Sequence, residues 1–224
     1  GNCRRNSRGK NFPRMRLTGL LGGSFNPAHG GHRSISLFAL DALDLDEIWW
    51  LVSPGNPLKA GAKDMAPLKA RLGSARKMAR RAPIRGTAIE AQMGTRYTID
   101  TLRKLVRRYP NRRFIWIMGA DNVANFTRWR RWRDIARLMP IAVIARPGYD
   151  SHAVAGPAMA WLRRYVRRPD QQLNWTMWSN PALVFLRFRP DPRSATAVRQ
   201  ANPLWYLDFD GKSVSDGVTH KLFY

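Results

Sequence analysis

Two histidines three residues apart, His29 and His32, close the stretch Gly22-Gly23-Ser24-Phe25-Asn26-Pro27-Ala28-His29-Gly30-Gly31-His32. At the entrance to a helix this spacing lets both rings project from one side of the first turn into the same space. Beside a phosphate-binding turn, two imidazoles can donate hydrogen bonds to charge developing on a phosphoryl group, with no covalent intermediate. For an isolated pair at this spacing a structural role is favoured, one histidine capping or packing the turn and the other solvated; the Gly-Gly-Ser-Phe-Asn-Pro before it shifts the balance sharply to the phosphate role. A second set lies near the other end. Ser194 is an N-cap candidate, Thr196 falls in the first turn, and Arg199 is three residues further on the same side. Hydroxyls, free N–H groups and a guanidinium there converge on a polyanion, as a clamp for it. The alternative is an ordinary capped helix.

The elements that must carry these groups alternate. Gly19-Leu20-Leu21-Gly22-Gly23 has the short, bounded apolar pattern of a buried strand, and from about Gly31 the residues Ile35, Leu37, Phe38, Leu40, Ala42 and Leu43 suit one face of a helix. Asp46 to Ser53 reads as a second strand, and residues 66–82 as an amphipathic helix whose outer face carries Lys69, Arg71, Arg76, Lys77, Arg80 and Arg81. Thr87 to Ala91 is read as a short strand, and Gly94 to Leu102 opens a helix with several N-cap candidates. Phe114 to Met118 is the most strand-like run. At its carboxyl end Gly119-Ala120-Asp121 offers a carboxylate for the hydroxyls of a nucleotide sugar, or else an N-cap for residues 122–126. Strands follow at 140–145 and 183–188, with a helix over 158–166, and Trp132 is expected to pack against a helix beginning near Asp134. The tail, with Trp205, Leu207, Phe209, Leu222 and Phe223, is expected to cover one sheet edge. The pattern is α/β, a Rossmann-like doubly wound parallel sheet, in which ligands bind at the carboxyl ends of the strands.

Length and charge set the outer bounds. The chain has 224 residues, 39 Lys+Arg against 15 Asp+Glu, and a formal net charge of +24. That charge attracts polyanions in general. No nucleic-acid motif accompanies it, so solvated arginine faces are preferred over nucleic acid as a specific partner. Cys3 is the only cysteine, which excludes an intrachain disulfide and a Cys-based metal site and fits a reducing, cytoplasmic setting. No apolar run approaches the roughly 20 residues needed to span a bilayer. Residues 1–16 are basic, lack acids and are expected to form a disordered leader, with 17–224 as a single domain.

The string from Gly23 to His32 resembles the G-x-F-x-P-x-H-x-G-H signature of nucleotidyltransferases. Later segments are similar to bacterial nicotinate-mononucleotide adenylyltransferases from about Leu17 to the C-terminus. Asn56-Pro57-Leu58-Lys59 is close to a loop that puts a lysine near the phosphates, although many members carry His where this chain has Leu58; Lys59 can also be a solvated loop residue. Tyr97-Thr98 matches a turn that holds the nicotinate end largely through backbone N–H groups, while Thr98 can also simply cap its helix. Asp121, Phe126 and Trp129 match D-x-x-x-x-F-x-x-W, whose tryptophan stacks on the pyridine ring, a contact worth roughly 1 kcal/mol beyond area burial. Arg146-Pro147-Gly148-Tyr149 is similar to a family loop in which the arginine either helps with acceptor phosphate or stiffens the loop. Arg193 to Arg199 resembles I-S-[SA]-T-x-[IV]-R, with Arg193 where Ile is usual, a change that adds charge to the clamp.

The resemblance implies adenylyl transfer from ATP to nicotinate mononucleotide, giving nicotinate adenine dinucleotide and pyrophosphate. His29, His32 and Arg199 would carry catalysis. Gly23, Ser24, Phe25, Lys59, Gly119, Asp121, Ser194 and Thr196 would bind ATP and its phosphates, and Tyr97, Thr98, Trp129 and Arg146 the nicotinate nucleotide. Mg²⁺ is expected to arrive with ATP, because the sequence has no obvious protein cage for it. Nicotinamide mononucleotide or phosphopantetheine as acceptor, a cytidylyltransferase, and a basic nucleic-acid-binding protein without turnover are the alternatives. A homo-oligomer is left open.

Overall fold

The computed structural model describes residues 14–55, 65–145, 155–188 and 199–224. Strand β1 (Arg16–Gly23) is followed by α1 (Gly30–Ala42), β2 (Glu47–Val52), α2 (Leu68–Met78) and β3 (Ile84–Thr87). Next come α3 (Ile89–Met93), α4 (Thr98–Arg108), β4 (Arg112–Gly119), α5 (Ala120–Asn125), α6 (Trp132–Leu138) and β5 (Ile141–Ala145). A short helix α7 (Pro157–Leu162), strands β6 (Val166–Arg167) and β7 (Leu183–Arg187), and a hairpin of β8 (Val214–Ser215) with β9 (Leu222–Phe223) complete the order.

Seven strands form one sheet in the order β3-β2-β1-β4-β5-β7-β6, and every adjacent pair is parallel. The expected Rossmann-like doubly wound sheet is thus the fold. Its central strands are buried on both faces, as helices on either side require. Leu20, Trp49, Phe114, Trp116 and Ile141 pack toward α4 and α6, and Ile48, Trp50, Ile115, Ile117 and Ala142 toward α1 and α2. Chain order reverses between β1 and β4, so the carboxyl ends of these two strands, at Gly22-Gly23 and Gly119, flank the switch-point crevice.

At the opposite end one carboxylate ties four strands together. Glu47, 1% exposed, lies 2.9 Å from Arg112 Nε, 3.1 Å from Arg85 Nε and 3.5 Å from Arg16 Nη2, and Thr18 Oγ1 donates to it at 3.1 Å. Burial alone would raise the Glu47 pKa, but the Arg112 hydrogen bond and the Arg85, Arg112 and Arg16 charges hold it below its ordinary value.

Several expectations need correction. Thr87 to Ala91 is not a strand: β3 ends at Thr87, where Thr87 Oγ1 donates to Asp216 at 3.0 Å and accepts Ile89 N–H at 3.1 Å, and the chain turns into α3. Trp132 does not pack on the next helix but begins it, with its ring against Phe126 and Trp161. Asp121 is inside α5, whose N-cap is Gly119, and Tyr97 caps α4 without a side-chain hydrogen bond, so neither Asp121 nor Thr98 is an N-cap. Arg71 is not on the cationic outer face but 1% exposed. The tail does meet a sheet edge, Gly217 N donating to Gly86 O of β3 at 2.8 Å, but of the residues expected there Trp205 is buried and Phe209 lies against α2 at Gly73, whereas Leu207 and Leu222 are exposed. The two-residue strand β6 had no sequence signal. Arg16 opens β1; the expectation for residues 1–13 lies outside the described residues.

Candidate active site

Two glycines let bulky rings reach the end of β1. A Cβ at Gly22 would sit 3.0 Å from Trp116 Cη2, and one at Gly23 would sit 3.3 Å from Phe25 Cε2. Phe25 adopts φ 49°, a left-handed backbone unusual for an aromatic residue, and turns its side chain inward to 1% exposure. Its ring centroid lies 4.6 Å from that of His32 and 5.3 Å from that of Trp50. Trp50 Nε1 donates to Ser36 Oγ at 2.8 Å and Ser36 Oγ donates to His32 O at 2.8 Å, so the first turn of α1 is fixed to the core.

The histidines themselves start the helix. His29 is the N-cap of α1; its Nδ1 accepts Gly31 N–H at 3.0 Å, and His32 Nδ1 accepts His29 N–H at 3.1 Å. The ring centroids are 3.9 Å apart. With Nδ1 committed as acceptor in both rings, the neutral imidazole keeps its proton on Nε2. Burial, reinforced by His29, lowers the His32 pKa to about 3, so this ring is a neutral N–H donor at physiological pH.

A buried guanidinium braces the turn from behind. Arg71 Nη1 donates to Ser24 O at 2.9 Å and to Ser53 O at 2.6 Å, Nη2 to Pro54 O at 3.3 Å, and Nε to Ala66 O at 2.8 Å. Every partner is a backbone carbonyl, and none of the ion pairs among the described residues includes it. Burial lowers its pKa, yet an arginine keeps its charge in proteins. Ser74 Oγ accepts Ala28 N–H at 3.0 Å and Asn26 Oδ1 accepts Ala66 N–H at 3.1 Å, which locks the turn to α2. From the far end of the chain, Arg199 Nη1 donates to Asn26 O. His29, His32, Gly23, Ser24, Phe25 and Arg199 are therefore brought together.

Two hollows adjoin this turn. A small one joins Gly119 and Asp121 to Leu21, Ile35, Ile144 and Phe188 across the switch point. A cavity of about 240 Å³ lies beside it, where Thr98 and Trp129 meet Gly22, Gly23, Glu90 and Trp116. Tyr97 does not line that cavity; its ring lies 4.7 Å under the Arg130 guanidinium. Lys59, Arg146, Ser194 and Thr196 lie outside the described residues. Sequence reading missed Arg71, Glu90 and Trp116. Burial raises the Glu90 pKa, opposed by the hydrogen bond that Thr101 Oγ1 donates to its carboxylate at 3.4 Å. Among the described residues no group of three or more His, Cys, Asp or Glu could hold a metal ion, and no helix is long and apolar enough to cross a membrane.

Comparison with known proteins agrees with this geometry. The cytidylyltransferase-like family model matches residues 20–201. A protein of Erythrobacter litoralis named "Probable nicotinate-nucleotide adenylyltransferase" is 65% identical over 204 residues, covering 91% of this chain and 93% of that one. A relative of the same name from Parvibaculum lavamentivorans is 49% identical over 182 residues, covering 81% and 90%. The solved Plasmodium falciparum nicotinic acid mononucleotide adenylyltransferase complexed with NaAD shares the fold, with a TM-score of 0.59 at 15% identity, covering 86% of this chain and 95% of that one. A histidine pair at a Rossmann switch point, on a chain matched along nearly its whole length, makes this protein a nucleotidyltransferase, and it belongs to the cytidylyltransferase-like group and within it to the nicotinate-nucleotide adenylyltransferase family.

Proposed function

We propose that this chain joins the phosphate of nicotinate mononucleotide to the adenylyl group of ATP, a step of NAD biosynthesis. An acceptor phosphate oxygen attacks the α-phosphorus in line, the bond from that phosphorus to the bridging oxygen breaks, and pyrophosphate leaves with the electron pair. Atoms and charge balance with no enzyme-bound intermediate. The observation that carries the reading is the histidine pair held as Nε2–H donors in the turn beyond β1, the strand whose Leu21 lines the hollow with Asp121 and whose Gly22 and Gly23 line the cavity with Trp129.

His32 donates from Nε2 to an α-phosphate oxygen as its charge grows, and being neutral it keeps its proton through the reaction. Removing one such donor typically lowers kcat by about 10²–10³-fold. Gly23, Ser24 and Phe25 shape the turn against the phosphates, and Asp121 is exposed to accept sugar hydroxyls. Arg199 draws the C-terminal segment to Asn26, which fits Ser194 and Thr196, with Lys59, as partners of the leaving pyrophosphate. Thr98, Trp129 and Arg146 are assigned to the acceptor, and Tyr97 to it only through its backbone at the N-cap of α4, its ring being turned to Arg130. The described residues supply no cage for a divalent cation, so Mg²⁺ is assigned to the ATP phosphates, where it would neutralise part of their charge; none of the steps above runs through it. A cytoplasmic setting, where both nucleotides are made and used, suits this reaction.

Pyrophosphate release with ATP and Mg²⁺ tests the reading, with nicotinate mononucleotide, nicotinamide mononucleotide and phosphopantetheine as acceptors on wild type and His32→Ala. Release that prefers nicotinate mononucleotide and falls at least 100-fold in the variant is expected, in line with the cost of one lost donor. No release with any acceptor, or equal rates in the two proteins, would refute it.

A further inference from the structure

The cavity that holds Trp129 and Thr98 contains one ionisable side chain among the described residues that line it, and that side chain is an acid, Glu90. In a chain with 39 Lys+Arg against 15 Asp+Glu this is the less expected sign. No arginine, lysine or histidine lines the cavity among those residues, and the Glu90 carboxylate is met by a hydroxyl, Thr101 Oγ1 at 3.4 Å, rather than by a cation. Two indoles stand beside it. Trp116 and Trp129 have ring centroids 6.1 Å apart and planes at 80°, so they form two walls of a corner. Trp116 is 4% exposed and is held by contact with Gly22, while Trp129 is backed by Phe126 at 5.3 Å. Aromatic faces attract a flat cation through the ring quadrupole, most strongly when the cation is desolvated. A carboxylate at the same place adds an opposite charge.

We infer that Glu90, Trp116 and Trp129 read the positive charge of the acceptor ring, so that the cavity selects an N-substituted pyridinium over a neutral aromatic ring of the same shape. This rests on the reading that the acceptor is a pyridine nucleotide, whose ring nitrogen carries a permanent positive charge once it is bonded to ribose. A cation there also suits the position of Glu90, because a carboxylate withdrawn even partly from water is costly unless it is paired. The acceptor's own carboxylate is left to the first turn of α4 at Thr98, away from the need for a protein cation. Sugar hydroxyls, which are neutral, could also meet a carboxylate, but they give no reason for two indole walls.

The test is binding rather than turnover. Dissociation constants are measured by calorimetry for nicotinate mononucleotide and for its neutral isostere, 3-carboxyphenyl ribose 5′-phosphate, on wild type, Glu90→Gln, Glu90→Asp and Trp116→Leu. Wild type is expected to prefer the pyridinium at least tenfold. Glu90→Gln should cut that preference below threefold by weakening the pyridinium alone, Glu90→Asp should keep it, and Trp116→Leu should reduce it. A preference unchanged in Glu90→Gln, or equal loss of both ligands, would overturn the inference and leave Glu90 as a support for Thr101. If wild type releases pyrophosphate with neither acceptor and binds neither ligand, the acceptor assignment itself fails, and this inference with it.

Discussion

The backbone N–H of His29 donates to Nδ1 of His32 at 3.1 Å, while the His29 ring caps the same turn through Gly31 N–H at 3.0 Å. The tautomer is therefore set by the start of the helix rather than by substrate. His32, lowered to about 3 from 6.5 by burial and His29, stays neutral across the physiological range. Nitrogen-15 spectra of the imidazoles should show His32 Nδ1 unprotonated and Nε2 protonated from pH 5 to pH 9, with no titration step. The sign for stability follows. Below pH 6.5 the unfolded chain binds the His32 proton before the folded one does, so stability falls as pH drops from 6.5 toward 3. Replacement by Gln should remove that part of the slope; a His32 titration step near pH 6.5 in the folded protein would contradict the assignment.

Arg71 joins the lips of the phosphate turn, so its substitution should act on substrate as well as on stability. Arg71→Lys keeps the charge but loses the planar fork. Leaving buried carbonyls unpaired costs about 1–3 kcal/mol each, and even one makes the loss visible in urea unfolding. KM for ATP should rise at least tenfold with KM for the acceptor changed less than threefold. Equal changes in both would point to general loosening.

Glu47 is expected to matter for folding and not for chemistry, because it lies at the amino ends of the strands. Glu47→Gln leaves three arginines facing a neutral amide and should cost about 3 kcal/mol, the usual scale for breaking a buried pair. As its folded pKa is depressed below 4.5, its contribution is present above that pH and is lost as pH falls through the lower, folded value. Thermal unfolding from pH 3 to 7 should show this acid limb in wild type and a shallower one in the variant, with KM values unchanged at pH 7.5.

Asp216 fastens the tail to the end of β3 and to α3, the helix that carries Glu90 to the cavity beside Trp129. Its carboxylate, 0% exposed, accepts from Thr87 Oγ1, Ala88 N, Gln92 Nε2, Val218 N and Thr219 N at 2.8–3.0 Å. An amide has one accepting oxygen and turns two N–H groups toward donors. Asp216→Asn should therefore lose at least about 2 kcal/mol and raise KM for the acceptor, since α3 carries Glu90, while KM for ATP stays within twofold. Hydrogen exchange over residues 84–93 checks the loosening directly.

What the sequence made legible follows from chemistry that repeats locally. The glycines and histidines of the first motif have few uses other than a tight turn facing a ligand, and the strands β1, β2, β4, β5 and β7 announce themselves as apolar runs. Arg71 was hidden because one arginine among six cations on an amphipathic segment looks like the rest; only the carbonyls of Ser24 and Ser53, brought from two other places in the chain, make it different. Glu90 was hidden by reading Thr87 to Ala91 as a strand, a choice that the distant Asp216 decides. Trp116 looked like core, and the small side of Gly22 is what lets it reach the cavity.

The hairpin at the end of the chain has one more effect. Strand β3 is an outer strand of the sheet, and on its open side Gly217 N donates to Gly86 O at 2.8 Å, while a Cβ at Gly217 would fall 2.7 Å from that oxygen. An uncovered outer strand is a template on which a second chain can extend the sheet. By occupying Gly86 O, the tail fills one place of that template with the protein's own chain, next to the Asp216 contacts that hold Thr87 and α3.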